Sequence, residues 1–184
     1  MKTTPSKTLK LVIVPHIALR TVSDPVTTFD ETLDNIIGQM KTVLAQASDP
    51  IGVGLAANQV NVLKRLFVTR LEPGAKTNVY INPQIIKRQN KQAKNDHDED
   101  DEPLEGCLSV PRIWAPIDRD WMIRLSWQDR GQKTHERDFD GFEAAVIQHE
   151  IDHLDGILFT QRAMEQGKPI YEERGGKLHE VIQP

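Results

Sequence analysis

Two histidines four residues apart constrain this chain more than anything else in it: His149 and His153, in the run Gln148-His149-Glu150-Ile151-Asp152-His153. On a helix that spacing places both imidazoles on one face, a turn apart. The preceding run, Phe142 to Ile147, reads as helix, with Asp140 placed to cap it and Gly156 to stop it. Two such imidazoles can share one divalent cation, and Glu150 between them is suited to move protons rather than to ligate. The same pattern also occurs in half-buried helices whose histidines are only hydrogen-bonded. A catalytic metal site needs a third protein ligand and an open coordination position, so that ligand must come from elsewhere in the chain.

The chain has 184 residues, enough for one domain with a real core and too few for two ordinary ones. A single catalytic domain over residues 1–184 is expected. A hydrophobic share of 38% with 27% charged residues describes a soluble globular protein. The net charge of -4 gives no basic footprint for nucleic acid or an anionic membrane. No apolar run approaches the roughly 18 residues of a spanning helix, and Met1 to Lys10 lacks the apolar core of a secretion signal. The expected location is a reducing cytoplasm. The single cysteine, Cys107, excludes an internal disulfide. A lone cysteine is most often a small buried hydrophobe, and it can also be a nucleophile or a metal ligand, which its neighbours must decide.

Periodicity places the remaining elements. Leu33, Ile36, Ile37, Met40, Val43 and Leu44 recur at helical steps, with Thr28 or Asp30 as cap and Asp49-Pro50 as stop. Strands are expected at Arg65–Thr69, at Asn78–Ile81 ending in Asn82-Pro83, at Gln84–Arg88, at Trp121–Trp127 and at Lys133–Phe139. Residues 89–102 carry an acidic cluster around His97 and read as a flexible, solvated loop. The stretch Ile51 to Val60 is rich in glycine and alanine. It fits neither nucleotide-binding fingerprint, and tight packing of a strand on a helix accounts for it equally well. Helices flanking a strand-rich middle predict an α+β fold: antiparallel sheets around a central metal-binding helix, with a further N-terminal helix.

Three segments stand in order: Gly52-Val53-Gly54-Leu55-Ala56-Ala57-Asn58-Gln59, Glu105-Gly106-Cys107-Leu108-Ser109, and Gln148 to His153. Together they resemble the three signature motifs of peptide deformylases, enzymes that remove the N-terminal formyl group from nascent proteins. The resemblance runs from about Leu11 to Phe159. It implies that Cys107 completes the metal set with His149 and His153, with water in the fourth position. The cation it implies is ferrous iron, with zinc, nickel or cobalt able to occupy the same site. Glu150 becomes the proton carrier, and the side-chain amide of Gln59 and the backbone N–H of Leu108 become oxyanion donors. The expected substrate is an N-formylmethionyl peptide that adds as a strand along Val53 and Gly54, where small glycines leave room. Its methionine side chain would enter an apolar pocket walled by Phe142, Ala145 and Val146. Asp152 is implied to pair with Arg119 and hold the metal helix.

The chain also departs from the family pattern. Trp114 stands where an arginine often helps hold the peptide, and Arg112 is the nearest substitute. The resemblance offers the ribosome near its exit site as a partner, through a long basic C-terminal helix. Here Gly167, Pro169, Gly175 and Gly176 interrupt Arg162 to Pro184. A zinc endopeptidase would instead need a downstream ligand, with Glu165 and His179 the available groups. A binder of formylated peptides that lacks catalysis is the third reading.

Overall fold

The structure, a computed structural model, describes residues 8–49, 51–89 and 103–181. The acidic loop expected at 89–102 lies outside these residues except for Gln89, which ends a strand.

The N-terminal helix α1 spans Glu31–Gln46. Asp30 caps it by accepting from Leu33 N at 3.1 Å. Thr28 does not cap it, and the helix stops at Gln46, before Asp49-Pro50. Leu33, Ile37, Met40 and Leu44 form its buried stripe. They pack on one face of a five-stranded antiparallel sheet ordered β1 (Gly54–Ala56), β2 (Leu66–Thr69), β3 (Asn78–Gln89), β6 (Met122–Gln128) and β7 (Thr134–Asp140). β1 is therefore an edge strand among the described residues.

Between β3 and β6 in sequence come β4 (Leu104–Cys107) and β5 (Val110–Pro116), which open a second sheet. Its four strands are ordered β4, β5, β8 (Ile170–Arg174) and β9 (Lys177–Val181). The second helix, α2, spans Gly141–Leu154, and a shorter α3 spans Phe159–Glu165. α2 packs Ala144, Ile147, Ile151 and Leu154 against Ala56, Phe67 and Tyr80 on the other face of the first sheet. A third apolar cluster joins Cys107, Val110 and Ala115 to Phe159 and Ala163. The expected α+β arrangement of antiparallel sheets around a central helix is present.

Two expectations need correction, and the C-terminal stretch, where no long helix was expected, takes a definite form. The strand predicted to end at Asn82-Pro83 continues through it to Gln89. Asn82 takes a left-handed φ of 51, and the pairing with β6 shifts register between Ile81 and Gln84, so the proline sits in a bulge. The glycine- and proline-interrupted C-terminal stretch is an ordered hairpin, β8–β9, built onto β5. Asp140 occupies the N-cap position of α2 without a side-chain capping bond, whereas Gly156 does end the helix at a φ of +74.

Candidate metal centre

α2 is central and nearly all of it is buried, polar residues included: Gln148, His149, Glu150, Asp152 and His153 are each under 9% exposed. Burying so many polar groups is unfavourable unless each has a partner. Gln148 donates to Asp120 O at 2.9 Å and to Ala144 O at 3.0 Å. Asp152 is held by two arginines, Arg119 at 2.6 Å and Arg162 at 2.7 Å. His149 Nδ1 lies 2.6 Å from Glu105 Oε1. Glu105 in turn receives two bonds from Arg119, at 3.0 and 2.7 Å. An unbroken chain of charge-assisted bonds thus runs from Asp152 through Arg119 and Glu105 to the His149 ring.

Cys107 ends β4 just before the tight turn at Leu108-Ser109, which aims its thiol at α2. Its Sγ is 3.1 Å from His153 Nε2. The thiol and both imidazoles place one ligand atom each within 4.8 Å of one another, all three buried. One sulfur and two nitrogens at that spacing fit a four-coordinate divalent ion with one position left for water or substrate. Glu105 occupies Nδ1 of His149, which leaves Nε2 to face the sulfur. Glu165 and His179, the ligands a peptidase would need, are absent from this cluster. Glu165 pairs with Arg162, and His179 is exposed on β9.

Burial shapes the titration of the site. It raises the Glu150 carboxyl to about 7, with Glu105 adding in the same direction. Burial alone would raise Glu105 too, but His149 and Arg119 outweigh it and hold that carboxyl at about 2. Burial would lower His149, and Glu105 with Cys107 raise it well above its ordinary value instead. His153, desolvated and beside His149, falls well below.

The other predicted residues arrange themselves around this cluster. Gln59 is buried in the 3-10 turn Ala57–Val60 that follows β1. Its Nε2 donates to Cys107 Sγ at 3.6 Å and Ser109 Oγ at 3.2 Å, while its Oε1 accepts from Ala56 N at 2.8 Å. Leu108 follows Cys107 in the turn. Val53 leads into β1, and its carbonyl accepts from Arg70 N at 2.8 Å. Gly54 has a different reason to be glycine from the one expected: a Cβ there would lie 2.2 Å from Glu150 Oε1. A Cβ at Gly52 would lie 2.8 Å from Leu44 of α1. Helices, not substrate, take the room these glycines leave. Val146 is buried and Ala145 half-buried, whereas Phe142 is 64% exposed at the start of α2. Trp114 packs its indole against Gly106, where a Cβ would lie 2.5 Å from the ring, and donates its indole N–H to Glu173 at 3.2 Å, while Arg112 is exposed.

Sequence reasoning missed the contacts that Glu105, Arg162 and Asn58 make with α2, the last through a bond from its side-chain amide to the His153 carbonyl. For Glu105 a signal existed: a ligating imidazole needs an acceptor on its second nitrogen, and a carboxylate stood two residues before the cysteine. For Arg162 and Asn58 no local pattern pointed to α2.

A His-Glu-x-x-His helix whose third donor is a distant thiol, set between two antiparallel sheets, defines a class of metal-dependent hydrolases. The profile of the polypeptide deformylase family matches residues 8–169. Peptide deformylase 1 of Pseudomonas syringae pv. tomato is 39% identical over 174 residues, covering 94% of this chain and 97% of that protein. The Zymomonas mobilis peptide deformylase is 41% identical over 159 residues, covering 82% and 83%. The crystal structure of a peptide deformylase from Legionella pneumophila superimposes with a TM-score of 0.73 at 34% identity, covering 85% of this chain and 86% of that one. A plant peptide deformylase structure gives a TM-score of 0.76 at 32% identity, covering 90% and 85%. The chain belongs to the peptide deformylase family, whose metal-dependent reaction removes the formyl group from the N-terminus of peptides.

Proposed function

We propose that Glu150, Gln59 and Leu108 carry deformylation here, at a cation held by Cys107, His149 and His153. The observation that carries this reading is the convergence of a β4 thiol and two α2 imidazoles beside a buried Glu150 raised to about 7. A bound cation supplies Lewis acidity and lowers the pKa of a water at its open position. Ferrous iron is the proposed native ion, and zinc, nickel and cobalt suit the same donors. The carboxylate of Glu150 accepts the proton of the attacking water and returns it to the departing amine, tasks suited to a group titrating near neutrality. Gln59 Nε2 and the Leu108 N–H donate to the oxygen that becomes negative on the tetrahedral carbon. Loss of one such donor raises the barrier by about 3 kcal/mol. Water and the formamide give formate and a free N-terminal amine.

The substrate is proposed to lie as an extra strand on the edge of β1 at Val53 and Gly54, held mainly by backbone bonds. Its methionine side chain meets Val146 and Ala145, with Phe142 at the rim. Asp152 and Arg119 hold α2 in place beneath it. The whole chain is proposed to act as one catalytic domain in a reducing cytoplasm, which protects a ferrous thiolate site. Contact with a ribosome near its exit site is the remaining partner reading, and among the described residues 170–181 would offer it a hairpin and not a helix.

Formate release from formyl-Met-Ala-Ser by metal-loaded protein tests this function. Glu150→Gln should lower turnover by about 100-fold or more while metal content stays at one per chain. Unchanged turnover in that variant, or no formate from the loaded wild type, would reject it.

A further inference from the structure

The two imidazole ligands are supported in different ways. His149 is oriented through its ring, by Glu105 against Nδ1. His153 is 1% exposed, and its Nδ1 has no hydrogen-bond partner among the described residues. Its backbone is gripped instead. The His153 carbonyl is among the last of α2, which no further helical turn can satisfy. It accepts from Gly156 N at 3.0 Å and from the side-chain amide of Asn58. The same amide nitrogen donates to Ala18 O at 3.3 Å. Both contacts are carbonyls, so the nitrogen and not the oxygen of Asn58 must face them. Asn58 is 0% exposed, so no bulk water can replace either bond.

Asn58 and Gln59 are consecutive in one 3-10 turn. Through Gln59 that turn reaches the Cys107 sulfur, and through Asn58 it holds the backbone of His153. We infer that Asn58 is a positioning residue of the metal centre. Its amide locks the C-terminal end of α2 so that His153 meets Cys107. This rests on the reading of Cys107, His149 and His153 as metal ligands. A merely structural amide would affect stability alone, whereas a positioning residue also sets how firmly the cation is held.

Co2+-loaded protein tests this, with release into excess chelator and the thiolate-to-cobalt absorption as readouts. Asn58→Ala is compared with Ile37→Ala, a core change on α1, each measured at the same interval below its own Tm. Expected is release about 10-fold faster or more for Asn58→Ala, with a shifted absorption, and wild-type behaviour for Ile37→Ala. Equal release rates and unchanged spectra in the two variants would overturn the inference. If Asn58→Ala does not fold, Asn58→Leu keeps the volume and removes both donated bonds, and a wild-type release rate there overturns the inference equally. A wild type that takes up no Co2+ overturns the metal centre and this inference with it. Bound Co2+ without formate release overturns only the proposed reaction.

Discussion

At position 54 the presence of a glycine is decided by another residue's carboxylate. Glu150 can stand beside the metal ligands because no Cβ occupies the point 2.2 Å from its Oε1. Gly54→Ala must therefore push either β1 or the carboxylate aside, and a displacement of about 1 Å costs on the order of 100-fold in rate. Formate release should fall by that factor while the metal stays bound, and full activity in Gly54→Ala would show that Glu150 is not placed as described. Glu105 acts from behind His149. Glu105→Gln should weaken metal retention by about 10-fold or more, measured by competition with a chelator. The two arginines on Asp152 should differ sharply. Arg119 is 11% exposed at its side chain and also holds Glu105, so Arg119→Met leaves two buried carboxylates without it and should cost about 3 kcal/mol in urea unfolding. Arg162 is 33% exposed and leaves Asp152 still paired, so Arg162→Met should cost about 1 kcal/mol or less.

Elements are tied across the sheet by single side chains whose importance no local pattern announces. Arg130, in the turn between β6 and β7, reaches back to the start of α1. It bonds the Phe29 carbonyl at 3.0 Å, the Asp30 carbonyl at 3.1 Å and Asp34 at 2.7 Å. The bond to Arg130 holds the Asp34 carboxyl below its ordinary range. A depressed acid contributes stability that is present at neutral pH and is lost as pH falls through its folded-state titration. Asp34→Asn should therefore unfold at lower urea than wild type at pH 7, and the gap should close in acid. A gap that persists unchanged in acid would refute the pairing. Both long helices were legible in the sequence: Leu33 to Leu44 carries enough turns for a stripe to show, and α2, buried nearly all round, shows through the four-residue spacing of its histidines between Asp140 and Gly156. β1, β4 and β5 were not. β1 and β4 are short and carry glycine, and β5 carries Pro111 and Pro116, so neither alternation nor propensity marks them as strands. The metal set was legible only through three motifs together, since nothing local to Cys107 distinguishes a ligand from a buried thiol.

For the molecule as a whole, the C-terminal hairpin has the least obvious reason to matter, because the family match ends at residue 169 and the hairpin begins at Ile170. Yet β8 pairs with β5 through Ile113 and Trp114, and β5 pairs with β4, the strand that presents Cys107. Ile170 packs on the cluster containing Cys107, Val110 and Phe159, and Glu173 holds the indole that covers Gly106. Removing β8 and β9 would turn β5 into an edge and leave Trp114 without its acceptor. The apolar burial that the deleted Ile170 and Tyr171 share with Ile113 and its neighbours is worth on the order of 3 kcal/mol at about 25 cal/mol per Å². For a chain of this size that lowers Tm by about 10 °C. A chain ending at Lys168 should show that drop and should also lose metal faster, since a fraying β4 moves the sulfur and leaves the imidazoles where they are. A truncated protein with normal Tm and normal metal retention would mean that the thiol is fixed by α2 and α3 alone.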